Sequence, residues 1–131
     1  MAISTISASF QCSIQKVWDI VTSLGNYSWR SDISKIEILN ENQFIEYTTD
    51  GYATTFTTTA MEPLKRWEFD MKNDNMEGHW VGLFSQNGDV TTIDFTENVT
   101  AKKLAMKPFV KIYLKKQQST YVSDLKRALL S

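Results

Sequence analysis

The sequence predicts an α+β fold: a strongly curved, seven-stranded antiparallel sheet around one long C-terminal helix, with two short helices after the first strand. Three observations predict it. From Ile33 to about Thr100 the side chains alternate with a period of two, broken at intervals by turn signals. From Pro108 almost to the terminus the apolar positions recur at helical spacing. Between an opening strand and the main run of strands lies a short amphipathic stretch that Gly25 closes.

The run from Ile3 to Phe10 mixes small, polar and apolar residues in rough alternation, as a half-buried strand does, with Ile6, Ala8 and Phe10 on one side. Ser13 is placed to cap the helix that follows, in which Ile14, Val17, Trp18, Ile20 and Val21 share a face. A second short helical turn fits Tyr27 to Arg30. Six strands in hairpin succession come next, parted at Glu41-Asn42, Asp50-Gly51, Glu62-Pro63, Asp74-Asn75 and Asn87-Gly88. Pro108 then opens the last helix, where Phe109, Ile112, Tyr113, Lys116, Thr120, Tyr121, Leu125, Ala128 and Leu129 hold one face along a rod of about 33 Å. No Pro, Gly or Ser-rich stretch divides the chain, so a single domain over residues 1–131 is expected.

Two-residue turns fix register, and register fixes which residues share a face. A turn at Asn87-Gly88 sets Phe84 opposite Thr91, Gly82 opposite Ile93 and Trp80 opposite Phe95. A turn at Asp74-Asn75 sets Phe69 opposite Trp80, Met71 opposite Gly78 and Trp67 opposite Gly82. A turn at Asp50-Gly51 sets Tyr47 opposite Thr54 and Ile45 opposite Phe56. One face then collects Ile36, Ile38, Ile45, Tyr47, Phe56, Thr58, Trp67, Phe69, Met71, Trp80, Phe84, Ile93, Phe95 and Val99, while Glu46, Thr48, Thr55, Thr57, Arg66, Glu68, Asp70, Lys72, Asp94 and Thr96 take the other. Large rings opposite glycines predict a sheet that bends sharply. Rings around a concave face either pack into a solid core or leave a void under the helix; the hydroxyls of Tyr47, Thr58, Tyr113 and Tyr121 on that side favour the void, since a dry core would leave them unsatisfied.

Composition narrows the function classes. The balance of 14 basic against 15 acidic side chains gives no general electrostatic case for nucleic acid. Six lysines between Lys102 and Lys116, with no acid among them, form a local basic stripe that reads first as a solvated helix face and second as a lipid or phosphate contact. The single Cys12, an N-terminus without signal-peptide character and the lack of a long apolar window point to a cytoplasmic chain that does not span a membrane. No cofactor is expected, since the chain has no zinc-ligand spacing, no P-loop and no dinucleotide glycine fingerprint.

Chemistry-bearing residues are few. The only histidine, His79, falls on the polar face opposite Asp70 and reads as a surface pair. Asp94 and Glu97 are out of phase, which leaves Glu97 as the one acid expected at the cavity rim, with a raised pKa if it is enclosed. Cys12 reads as a small buried side chain rather than a nucleophile. Trp29 is a lid over the entrance or a plug in the core, and Gln117 and Tyr121 are placed to give a guest its directed hydrogen bonds.

The order strand, helix, short helix, six strands and long terminal helix resembles the helix-grip fold of the START-like, or SRPBCC, superfamily, with its polyketide cyclase/dehydrase and lipid-transport group. The resemblance covers nearly the whole chain and rests on Val17-Trp18, Tyr27-Ser28-Trp29, Gly78-His79-Trp80, Thr92-Ile93-Asp94-Phe95 and Leu125-Lys126. It implies an apolar guest between sheet and last helix, and it leaves chemistry open because one fold hosts unrelated activities. The expected function is binding or transport of a small hydrophobic molecule of lipid, polyketide or aromatic type, without catalysis. The expected contacts are Trp29, Tyr47, Phe56, Thr58, Trp67, Phe69, Trp80, Phe84, Phe95, Tyr113, Gln117 and Tyr121. The alternatives are a cyclase or dehydratase using Tyr47, Tyr113 or Glu97 for proton transfer, and a ligand-free interaction module with Val81 and Leu83 outward. A monomer or weak homodimer is expected.

Overall fold

The structure, a computed structural model, describes residues 1–130; Ser131, the last residue of the expected domain, lies outside them. Strand β1 (Ala2–Phe10) leads into helix α1 (Ile14–Thr22). Six further strands follow: β2 (Ile33–Ile38), β3 (Gln43–Thr48), β4 (Ala53–Glu62), β5 (Arg66–Lys72), β6 (Met76–Asn87) and β7 (Val90–Ala101). A 3-10 segment (Leu104–Phe109) then delivers the chain to α2 (Val110–Leu129). The strands form one antiparallel sheet in the order β1-β7-β6-β5-β4-β3-β2, so the first strand closes beside the last and every other neighbour is a hairpin. The antiparallel strands and the terminal helix are those that the sequence patterning predicts, and their arrangement is the helix-grip architecture that the resemblance implies.

Helix α1 starts where Ser13 Oγ accepts the Lys16 N–H at 3.2 Å. Val17, Trp18 and Val21 form its buried face, and Trp18 meets Phe84 edge to face at 4.9 Å. The helix ends at Thr22, short of Gly25. Where a second short helix is expected, the chain makes one turn, closed by the Arg30 N–H to Tyr27 O at 3.0 Å. The side chains around that turn bond outward to α2 and β3 instead of continuing a helix.

Register is met at one hairpin and altered at two. Between β5 and β6, Phe69 faces Trp80, Met71 faces Gly78 and Trp67 faces Gly82, as the Asp74-Asn75 turn requires. Between β6 and β7 the pairing is Asn87 with Val90, so the two turn residues are Gly88 and Asp89. Gly88 has φ +60°, and glycine first in the loop is what a type II′ turn selects. The slip is two residues, so Phe84 faces Ile93 and Gly82 faces Phe95, and no side chain changes face.

Between β3 and β4 the slip is a single residue, with the opposite consequence. The loop is Thr49-Asp50-Gly51, closed by the Gly51 N–H to Thr48 O at 2.8 Å, with Gly51 left-handed at φ +84°. Phe44 therefore pairs with Phe56, and Ile45 with Thr55. All of β3 turns over: Phe44 and Glu46 face inward, while Ile45 and Tyr47 face out.

Breaks of register between Ile33 and Lys35 and between Thr58 and Ala60 add bends to the sheet. Glycine adds room. A Cβ on Gly82 would lie 2.3 Å from Cη2 of Trp80, whose indole lies across it and stacks on Phe69 at 4.6 Å. Gly82→Ala is expected to destabilise the fold by about 1–3 kcal/mol through overpacking. Urea titration followed by tryptophan emission measures it, and an unchanged midpoint would mean that the ring has somewhere else to go.

The inward line of α2 also differs from expectation at its start. Val110, Leu114, Gln118, Leu125 and Leu129 are buried, whereas Phe109, Ile112 and Tyr113 are largely exposed. Both sets have helical spacing, and periodicity alone does not choose between them. Packing chooses: Val110 and Leu114 close on Val99 and Ala101 of β7. At mid-helix Gln118 exchanges two hydrogen bonds with Ser4 of β1, at 2.8 and 2.9 Å, which fixes the rod against the sheet edge.

Candidate functional site

Between the concave face and α2 lies a cavity of about 1000 Å³, at the upper end of the range for small-molecule sites. Its floor is a continuous aromatic layer. Phe44 stacks on Phe56 at 4.9 Å, Phe56 meets Phe69 edge-on at 5.1 Å, Phe69 stacks on Trp80, and Trp80 leans on Phe95 at 4.7 Å. Because the rings satisfy one another sideways along the sheet, they do not fill the space above it.

Of the expected contacts, Trp29, Phe56, Trp67, Phe69, Trp80, Phe95, Tyr113, Gln117 and Tyr121 line this cavity. Three do not. Tyr47 is turned outward with the rest of β3 and donates its hydroxyl to Glu37 at 2.8 Å. Thr58, beside the β4 bulge, has its Oγ1 occupied by the Trp67 indole N–H at 3.2 Å. Phe84 lies in the closed core against Trp18 and Phe95. Trp29 is a half-buried wall residue, edge-on to Tyr121 at 5.3 Å, with its indole N–H on Asn26 O at 3.1 Å.

The polar side of the cavity is richer than expected. Arg30 from the turn before β2 reaches Asp32 at 3.0 Å and Glu46 of β3 at 3.2 Å, and its guanidinium lies over the Tyr121 ring at 4.7 Å. Burial works against the Arg30 charge, but Glu46 and Asp32 outweigh it and hold its pKa above the ordinary value. Burial raises the Tyr121 hydroxyl, with Arg30 opposing. The turn is clasped from behind: Asp124 of α2, 2% exposed, accepts the Ser31 N–H at 2.7 Å and its hydroxyl at 2.8 Å, and also holds Arg127.

Glu97 of β7 is 8% exposed and lines the cavity, and its Oε2 is buried without a hydrogen-bond partner among the described residues. Burial first, and the Glu46 carboxylate second, push its pKa up to about 7. It is not the lone acid of the site, since Asp32 and Glu46 also face the cavity. A small network in the cavity wall joins Tyr52 to Asn73 at 3.2 Å and Asn73 to Thr54 at 3.0 Å. Tyr113 stands by the same space, its hydroxyl raised by burial and by Glu97.

His79 is on the outer face, bonded through Nδ1 to Asp70 at 2.7 Å and through Nε2 to Glu68 at 2.8 Å. Burial opposes its charge, but the two carboxylates prevail and raise its pKa. Among the described residues no three His, Cys, Asp or Glu side chains converge as a metal centre requires, and no helix is long and apolar enough to cross a membrane.

Fold and site together define a helix-grip protein with an aromatic-floored cavity under its terminal helix. A family model described as "Polyketide cyclase / dehydrase and lipid transport" matches residues 1–129, and the chain belongs to that family. Solved structures agree in fold. A conserved protein from Geobacillus kaustophilus superposes with a TM-score of 0.85 at 11% identity, covering 98% of this chain and 95% of that one. A START superfamily protein from Mycobacterium smegmatis gives 0.81 at 16% identity, covering 96% and 95%. The di-domain ARO/CYC BexL from the BE-7585A biosynthetic pathway gives 0.78 at 10% identity, covering 97% of this chain and 46% of its own. No curated protein gives a significant sequence match.

Proposed function

We propose that the chain binds and carries a small hydrophobic molecule, of lipid, polyketide or aromatic type, in the cavity under α2. Family membership supports a ligand-binding or polyketide-cyclase-type role, and one observation favours the first: a space of about 1000 Å³ whose floor is an unbroken layer of rings. Removing apolar surface from water at roughly 25 cal/mol per Å² supplies the affinity. The unpaired Glu97 oxygen and the Gln117 amide supply direction, so the guest carries at least one hydroxyl or similar polar group.

Trp29, Trp67 and Trp80 line the space, so occupancy is read directly from tryptophan emission. A fluorescent hydrophobic probe is expected to bind with one-to-one stoichiometry and quench that emission. Ile36→Trp, which replaces an aliphatic side chain of the cavity wall with a bulky indole, is expected to weaken the probe at least tenfold. Binding without fixed stoichiometry, or indifference to Ile36→Trp, would reject the proposal.

A second reading has its own observation. A carboxyl near pH 7 with a free oxygen facing an apolar cavity can give or take a proton, as a cyclase or dehydratase step requires. Glu97→Gln separates the two: loss of turnover on a polyketide-like substrate with probe binding intact assigns catalysis, and no turnover by the parent chain leaves the carrier.

A further inference from the structure

The stretch from Lys102 to Lys116 is unlike the rest of the surface. Its six lysines, at positions 102, 103, 107, 111, 115 and 116, are all exposed, and all 15 acids of the chain lie elsewhere. Among them stand side chains that a core would ordinarily claim: Leu104 is 78% exposed, Phe109 65% and Ile112 70%. Phe109, Ile112 and Lys116 follow at spacings of three and four, which places them along one outward line of the helix. The same stretch is the rim of the cavity, because Met106, Phe109, Val110 and Tyr113 line it.

We infer that this rim docks on an anionic lipid bilayer. Lysines attract the negative headgroups, and Leu104, Phe109 and Ile112 enter the boundary between headgroups and acyl chains, where exposed apolar side chains leave water. A polyanion in free solution would satisfy the lysines but offer nothing to the three apolar side chains, so charge and apolar exposure together favour a membrane surface over nucleic acid. Docking is peripheral, since no helix among the described residues can span. It turns the mouth of the cavity toward the bilayer.

Co-sedimentation of the full chain with phosphatidylcholine vesicles, with and without phosphatidylserine, tests this. Binding is expected only with phosphatidylserine and is expected to fall as salt rises. Lys107→Glu with Lys116→Glu is expected to weaken it at least tenfold, and Phe109→Ser with Ile112→Ser several-fold at unchanged charge. Lys126→Glu, near the far end of α2, is expected to leave it unaltered. Should the serine pair impair folding, Ile112→Ser alone carries the same comparison. Three results would each overturn the inference: no binding to anionic vesicles, binding indifferent to both variant pairs, or equal binding to an oligonucleotide that ignores the serine pair. Probe binding in free solution reports the cavity separately and stands whichever way the vesicles decide.

Discussion

Arg30→Met is expected to destabilise the fold by about 3–5 kcal/mol near neutral pH, because it strands a carboxylate that the structure encloses. The Arg30 side chain is 9% exposed and that of Glu46 16%. Removing the cation leaves Glu46 facing an apolar cavity and a second buried acid, Glu97, with nothing to compensate it. Part of the loss is expected to return in the double variant Arg30→Met with Glu46→Gln, where only the more exposed Asp32 is left without its cation. Urea denaturation of the two single variants and the double variant gives the coupling directly. Additive losses would mean that Arg30 acts through packing on Tyr121 and Trp29 rather than through its ion pairs.

The second large effect is a dependence on pH. Glu97 ionises near 7 in the fold against an ordinary value of 4.5, so between those values the folded chain holds a proton that the unfolded chain has released. The contribution of Glu97 to stability is therefore full below about pH 4.5, falls as pH rises toward 7 and levels off above it. The total fall is about 3 kcal/mol at roughly 1.4 kcal/mol per pH unit. Glu97→Gln is expected to match the parent at pH 4 and exceed it by up to that amount at pH 8. His79, also raised, favours the fold below its ordinary value of 6.5 and loses that contribution as pH climbs through its folded value, so the slope between pH 4.5 and 6.5 isolates Glu97. Parallel profiles for parent and variant, measured by urea denaturation at pH 4, 6 and 8, would refute the assignment.

The sheet, its hairpin order and most of its aromatic face were legible in the sequence because period two and turn residues are local signals. Asp74-Asn75 lies in a two-residue loop, and everything inferred from it stands. Asn87-Gly88 misplaces the loop by one residue, but the resulting slip of two keeps Phe84, Ile93 and Phe95 on their face. Asp50-Gly51 hides a third loop residue, Thr49, and that odd count inverts β3. The inversion conceals half of the polar site: a two-residue turn at Asp50-Gly51 points Glu46 outward, so its pairing with Arg30 and its push on Glu97 carry no signal in the sequence. Arg30 itself is legible only once the turn is clasped by Asp124, a contact between residues 93 positions apart. Phe109 and Ile112 misled for another reason, since apolar spacing reports that a helix has a face without saying what covers it.

The hollow under α2 also bears on how long the molecule survives. Side chains around unfilled space forgo the dispersion contacts that a dense interior would give them. Whatever fills that space adds its binding energy to the folded state alone, and at a hundredfold excess over its dissociation constant this amounts to about 2.7 kcal/mol. An empty copy therefore opens more often and meets proteases sooner than a loaded one. If the chain carries a guest as proposed, its steady-state quantity in a cell would rise and fall with the supply of that guest, without any dedicated sensor.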